Sequence, residues 1–294
     1  MTPNDNQTQN NAPASQTALP EVPLKETGAK RRAIRKWVLR LSLALTIIGP
    51  LIFMFAAIGH KIGLLGLGFS FGVLTRGVGP NVLIVSLIVA VIALILAFII
   101  KPKKGFLIGV IGILIPVLGM GYAMQVKNKA QSLPYIHDIT TDTQDVPQFG
   151  AKILAERAAV RDVNTTNYAG ETSATVDANG NPKQALVSVL QTKAYPDIRS
   201  IVVSESRDIV FEKAKAISKK MGWDIKASDA EAGTIEATDT TFWYGFKDDI
   251  IIRLRNSEGG GTLVDIRSLS RIGKSDIGKN AARIRHFLDE MDDA

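Results

Sequence analysis

The run Val82–Ile100, "VLIVSLIVAVIALILAFII", holds 19 residues without a charge. No other feature restricts the fold of this chain as much. A bilayer core of about 30 Å is crossed by about 20 apolar residues in helical form. Fifteen of the 19 are Val, Leu, Ile or Phe, and at roughly −0.4 kcal/mol each they favour insertion by about 6 kcal/mol. Two further apolar stretches flank it. Leu41–Gly59 begins too late and runs too long for a cleaved signal peptide, so it reads as a retained helix, kinked at Pro50. Gly105–Val126 is the third span, and its Gly109, Gly112, Gly119 and Gly121 would let helices approach closely. The intervening His60–Pro80 is glycine-rich and its apolar part is too short to cross. It reads as an interfacial or re-entrant segment, with His60, Lys61 and Arg76 at the headgroup level.

Charge follows the same division. Residues 1–126 carry 12 Lys and Arg against 3 Asp and Glu, whereas residues 127–294 carry 23 against 25. The basic excess therefore belongs to the membrane flanks, and the remainder has no basic stripe to track phosphates; nucleic acid is not an expected partner. Seven basic residues lie between Lys25 and Arg40, and "KPKK" at 101–104 adds three more. Both read as cytoplasmic by the positive-inside rule, which puts residues 127–294 on the far side, in the periplasm or outside the cell, if the membrane is a bacterial inner one. With no cysteine in the chain, disulfides, thiolate metal sites and cysteine nucleophiles are excluded. No cofactor and no metal is expected.

The chain thus divides into a polar, disordered tail and basic flank (1–36), a membrane domain (37–126), a connector and variable loop (127–197) and a folded core (198–294). In the connector, short helices are expected over 151–160 and within "PKQALVSVLQTKAYP". In the core, "IRSIVV" reads as a strand and Arg207–Met221 as a helix, capped by Ser206 and stopped at Gly222. Four strand-like runs follow, with turns at Ala232-Gly233, Gly245 and Gly259–Gly261. Pairing Leu254 with Val264 and Ile252 with Ile266 joins their apolar faces and sets Arg253 opposite Asp265. A last helix, 276–291, has the stripe Ile277, Ala281, Ile284, Leu288 and Met291. The order β-α-β-β-β-β-α predicts an α+β domain with both helices on one sheet face. The other face, or a cleft under the last helix, is then free for a ligand.

The segments "IHDITTD", "AYPDI", "MGWDI", "IEATDTTFWYGFKDDIIIRLR" and "VDIRSLSRIGKSDIGKNAARIRHFL" resemble, in this order, the DUF1499 family of bacteria. The resemblance covers about residues 133–291, and the three spans look like the membrane half of many bacterial members. An insertion at about 158–193 departs from the family's shorter connection. The resemblance implies the domain and its membrane setting and carries over no catalytic residue.

Three constellations invite function. Arg267, Arg271 and Lys274 precede a helix start at Ser275, and a helix N-terminus beside cations suits an anionic headgroup or carboxylate. The "GKS" there lacks the earlier glycine of a phosphate loop, where Ser268 stands instead. Phe242, Trp243 and Tyr244 surround the Gly245 turn; alternate aromatics there would fill the core, or, because consecutive strand residues cannot all face it, form an exposed edge that meets lipid, a partner or an apolar ligand. His137, Asp138 and Asp142, with Asp239 and Asp248, supply the groups of a hydrolase should they converge. The leading expectation is a membrane-anchored envelope protein whose outer domain binds a lipid or anionic small molecule without chemistry of its own. The alternatives are that hydrolase, or a scaffold subunit docking an envelope protein through the third span.

Overall fold

The computed structural model describes residues 24–177 and 179–293, so most of the expected disordered tail lies outside the described residues. Among the described residues, three helices are long and apolar enough to cross a membrane: Gly28–Lys61, Gly68–Ile99 and Phe106–Ser132. Each outruns its apolar span. Helix α1 (Leu24–Lys61) takes in the basic flank and continues through Pro50. Its Arg35 is 4% exposed. The Arg35 guanidinium donates to the Ile100 carbonyl at 2.7 Å and to that of Pro102. The two lysine- and arginine-rich segments therefore meet at one end of the bundle. Within the segment expected to be interfacial or re-entrant, residues 68–80 are helical. Gly68–Val78 forms wide π-type turns that run into α2 (Gly79–Ile99). Pro80 sits where the π-type turns pass into α2.

Glycines of α3 (Phe106–Ser132) do bring helices together. A Cβ on Gly109 would stand 3.0 Å from the Leu94 backbone, and one on Gly112 2.7 Å from Ser42 Oγ and 2.9 Å from Ala90 Cβ. Gly119 meets Leu83, whereas Gly121 faces open space.

The remaining chain is an α+β domain. Its strands β1 (Asp138–Thr140), β4 (Ile201–Val203), β5 (Asp224–Asp229), β6 (Thr234–Thr240), β7 (Lys247–Asn256) and β8 (Thr262–Ser270) form one antiparallel sheet. The order is β1-β8-β7-β6-β5, with β4 also pairing β8. Leu254 opposes Val264, Ile252 opposes Ile266 and Arg253 opposes Asp265, the register that the apolar alternation requires. The free side of β1 is closed by a side chain: the Gln191 amide accepts from Thr140 N at 3.0 Å and donates to Thr140 O at 2.7 Å. Gln191 belongs to α5 (Val187–Ala194).

Ile250, Ile252, Leu254, Val264 and Ile266 face α6 (Arg207–Lys220) and α7 (Lys279–Asp293) and share one core with them. Val210, Ala214 and Ile217 come from α6, and Ala281, Ile284, Phe287 and Met291 from α7; Trp223 stacks on Phe287 at 5.8 Å. Ile277, expected in the last stripe, precedes the helix and has a positive φ of 54°.

The opposite sheet face is not free, as the alternation alone suggested. Residues 142–164, including α4 (Ala151–Ala158), lie over it; Phe149 and Ile153 pack on Ile251 and Leu269. Residues expected to be connector and loop thus form part of the folded domain. They include a hairpin, β2 (Thr172–Val176) with β3 (Pro182–Leu186), that was not anticipated.

Candidate functional site

Strand parity places Glu236, Thr238, Asp249, Arg267 and, just past the strand, Arg271 on the covered face. There the arginines expected to bind an anion are already satisfied. Arg267 is fully buried. It grips Asp138 with Nε at 3.0 Å and Nη2 at 2.7 Å, and donates to the carbonyls of Pro147 and Thr166 at 3.0 and 2.7 Å. Arg271 holds Asp249 from Nε and Nη2, at 2.7 to 3.0 Å, and Glu156 at 2.8 Å. Arg157 adds a second cation on Asp249, at 2.8 Å. The Arg267–Arg271–Lys274 cluster is therefore not an open anion site, and a buried bidentate pair is the reason.

The helix start is occupied too. Ser275 does not cap α7; the Asp276 carboxylate accepts from Gly278 N at 2.8 Å and Asn280 N at 2.6 Å. The positive end of the helix is thus filled by the chain's own anion.

The hydrolase carboxylates do not converge. Asp138 is tied to Arg267, and Asp142 to Arg253 and Arg255. Asp239 and Asp248 share Arg283 of α7, at 2.6 and 2.7 Å. Among the described residues no cluster of three His, Asp or Glu could hold a metal.

Two residues taken from different constellations, His137 and Lys274, do meet, and Glu171 joins them. They line a cleft of about 200 Å³ together with Tyr135, Thr172, Ser173, Ala174, Gln184 and Val187. One wall is the hairpin β2–β3, held to the domain by Ser173 Oγ donating to the Tyr135 carbonyl. The His137 backbone is pinned by Ser270 N at 3.0 Å and Asn280 Nδ2 at 2.8 Å, both donating to its carbonyl. His137 Nε2 lies 3.3 Å from Glu171 Oε1, with side chains 4% and 12% exposed. Among the described residues, neither Nε2 of His137 nor Oε2 of Glu171 has a hydrogen-bond partner. Lys274 reaches Asn164 Oδ1, at 3.4 Å.

Burial controls the charge of this pair. It lowers the His137 pKa below 6.5, a shift the neighbouring Asp138 partly opposes. It pushes Glu171 up to about 7, with Asp138 adding to the rise. His137 is therefore neutral near neutral pH, whereas Glu171 is divided between its protonated and ionised forms there, poised to hold or release a proton. Sequence reasoning missed Glu171 because it lay in an expected loop. The hairpin signal was present: "TSATV" and "PKQAL" flank the turn residues "DANGN".

The family described as protein of unknown function (DUF1499) matches residues 138–291, just over half of the chain. No curated protein matches it.

Proposed function

The chain belongs to the DUF1499 family, described as a protein of unknown function. We propose that the α+β domain binds a small polar ligand in the His137–Glu171–Lys274 cleft and is tethered to a membrane by the three-helix bundle. One observation carries this reading. Two buried polar atoms, His137 Nε2 and Glu171 Oε2, belong to residues that line the same cleft and have no hydrogen-bond partner among the described residues. Buried polar groups are satisfied in nearly all proteins, so such atoms await a ligand or an ordered water.

The ligand fits a cleft of about 200 Å³ and carries both donor and acceptor groups, with an anionic group towards Lys274. A lipid headgroup and a free metabolite share that chemistry. Binding without turnover is favoured because each candidate catalytic carboxylate is neutralised by an arginine. The basic ends of α1 and of the α2–α3 connection support a cytoplasmic bundle end, with the domain outside the cytoplasm at a bacterial inner membrane.

The test is mass spectrometry of what accompanies the full-length protein from mild detergent, compared with Glu171→Ala. The expected result is a defined small anion on the wild type, absent from the variant. Extraction into organic solvent would mark a lipid headgroup, and retention in water a metabolite. The same molecule on both proteins, or none on either, rejects the cleft reading.

A further inference from the structure

The β6–β7 turn, residues 241–246, is the foot of the domain, and it stands on the membrane helices. Lys61 Nζ, at the end of α1, donates to the Phe242 carbonyl at 2.7 Å and lies 4.9 Å from the Phe242 ring centre. Tyr244 meets Phe71 edge-on at 5.7 Å, stacks on Phe246 at 5.3 Å, and shares a hydrogen bond with the Thr75 hydroxyl. His60 closes the group, 5.7 Å from Phe246. Gly245, with φ of 67°, makes the turn and lets Lys61 approach: a Cβ there would stand 3.0 Å from Lys61 Cγ.

Tyr244 and Phe246 are thus packed against the helices, whereas Phe242, apart from its contact with Lys61, and Trp243 stay largely exposed. Their exposures are 73% and 56%, although Phe149, Phe211, Trp223 and Phe287 of the same domain are all buried. They touch each other edge-on at 5.2 Å. They also continue a surface that is already apolar: Ile58, Ile62, Leu64, Phe69 and Val73 at this end of the helices are exposed. Lys61, Arg76 and Lys247 are exposed around the foot. An amphipathic indole beside a phenyl ring, rimmed by cations, has the composition of a membrane interface rather than of a water-facing turn.

We propose that Phe242 and Trp243 are seated in the interfacial layer of the phospholipid leaflet on the domain's side, so that the domain contacts the bilayer directly as well as through its helices. The occupant is the lipid that surrounds the helix ends, because the exposed rings extend the surface those helices present. The foot fixes the orientation of the sheet over the membrane. This inference is independent of the cleft.

The full chain in phospholipid nanodiscs carries three tryptophans, Trp37, Trp223 and Trp243, so the difference between wild type and Trp243→Phe isolates the Trp243 fluorescence. Lipids spin-labelled high on the acyl chain are expected to remove most of that component, and acrylamide in the water to remove little. Quenching by acrylamide alone would place the ring in water. Quenching by neither would place it under a protein partner or a second copy. Either result overturns the proposal. The chain has no cysteine, so Phe242→Cys and Val189→Cys can each carry a single nitroxide without background. The label at 242 is expected to favour collisions with oxygen over a water-soluble nickel chelate, and the label at the exposed Val189 the reverse. Equal, chelate-dominated accessibility at both positions would also sink the idea.

Discussion

Arg267 and Glu171 are both buried ionisable side chains, and they stand in opposite circumstances. Every donor direction of Arg267 that the fold exposes to a neighbour is used, chiefly by Asp138. Arg267→Ala leaves Asp138 charged, buried and alone, so the domain should lose about 3–5 kcal/mol, read as a lowered unfolding midpoint of the full-length protein. Lys274→Ala, at the exposed cleft edge, should stay within about 0.5 kcal/mol of wild type in the same measurement. Glu171 is instead held at a cost. An unfolded chain ionises it near 4.5, whereas the folded domain keeps its proton until about 7. Folding therefore takes up a proton between those values, and stability falls as pH rises through that window. Above it the penalty is on the order of 3 kcal/mol, about 1.4 kcal/mol for each unit of pKa. Glu171→Gln should raise the melting temperature at pH 8 and leave it unchanged at pH 4. An equal effect at both pH values would contradict this account of Glu171. His137, pushed down by burial, acts in the other direction and costs stability as pH falls through 6.5.

At the scale of elements, strands and amphipathic helices were legible because their periods are local. The β7–β8 register and the buried stripes of α6 and α7 follow from apolar residues spaced by two or by three and four. Element ends were less legible. Asp276 captures the first N–H groups of α7 and delays the helix to Lys279, three residues beyond the expected start. The π-type turns of Gly68–Val78 join a glycine-rich segment to α2 because that segment packs on α1, not because its residues favour helix. In the bundle, Gly112 is the tightest of the anticipated contacts. Gly112→Ala should force α3 away from Ser42 and Ala90 at a cost of about 1–3 kcal/mol, visible as a lower melting temperature in detergent. Gly121→Ala, facing open space, should leave that temperature unchanged.

At the scale of the molecule, the domain and bundle are built as one path of contacts from the basic end to the aromatic foot. Arg35 joins α1 to the α2–α3 connection at one end, and Lys61, Phe71 and Thr75 receive the β6–β7 turn at the other. The aromatic and cationic constellations serve different ends. Tyr244 docks on the helices and Arg267 locks the sheet to residues 138–166, while the cleft forms between β1, the hairpin and the chain before α7.

The sequence by itself determined the three spans, the α+β class and the pairing of the last two strands. Each of these is decided by hydrophobicity repeating over a few neighbouring residues, so no distant partner is needed to read it. Only the tertiary structure decided which charges are buried and which remain available. Arg267 meets a partner 129 residues away, and a face that alternation marks as polar became interior once residues 142–164 covered it. The cleft arose in the same way. His137, Glu171 and Lys274 are ordinary polar residues along the chain, and their shared site comes from the folding of a hairpin against the start of the sheet.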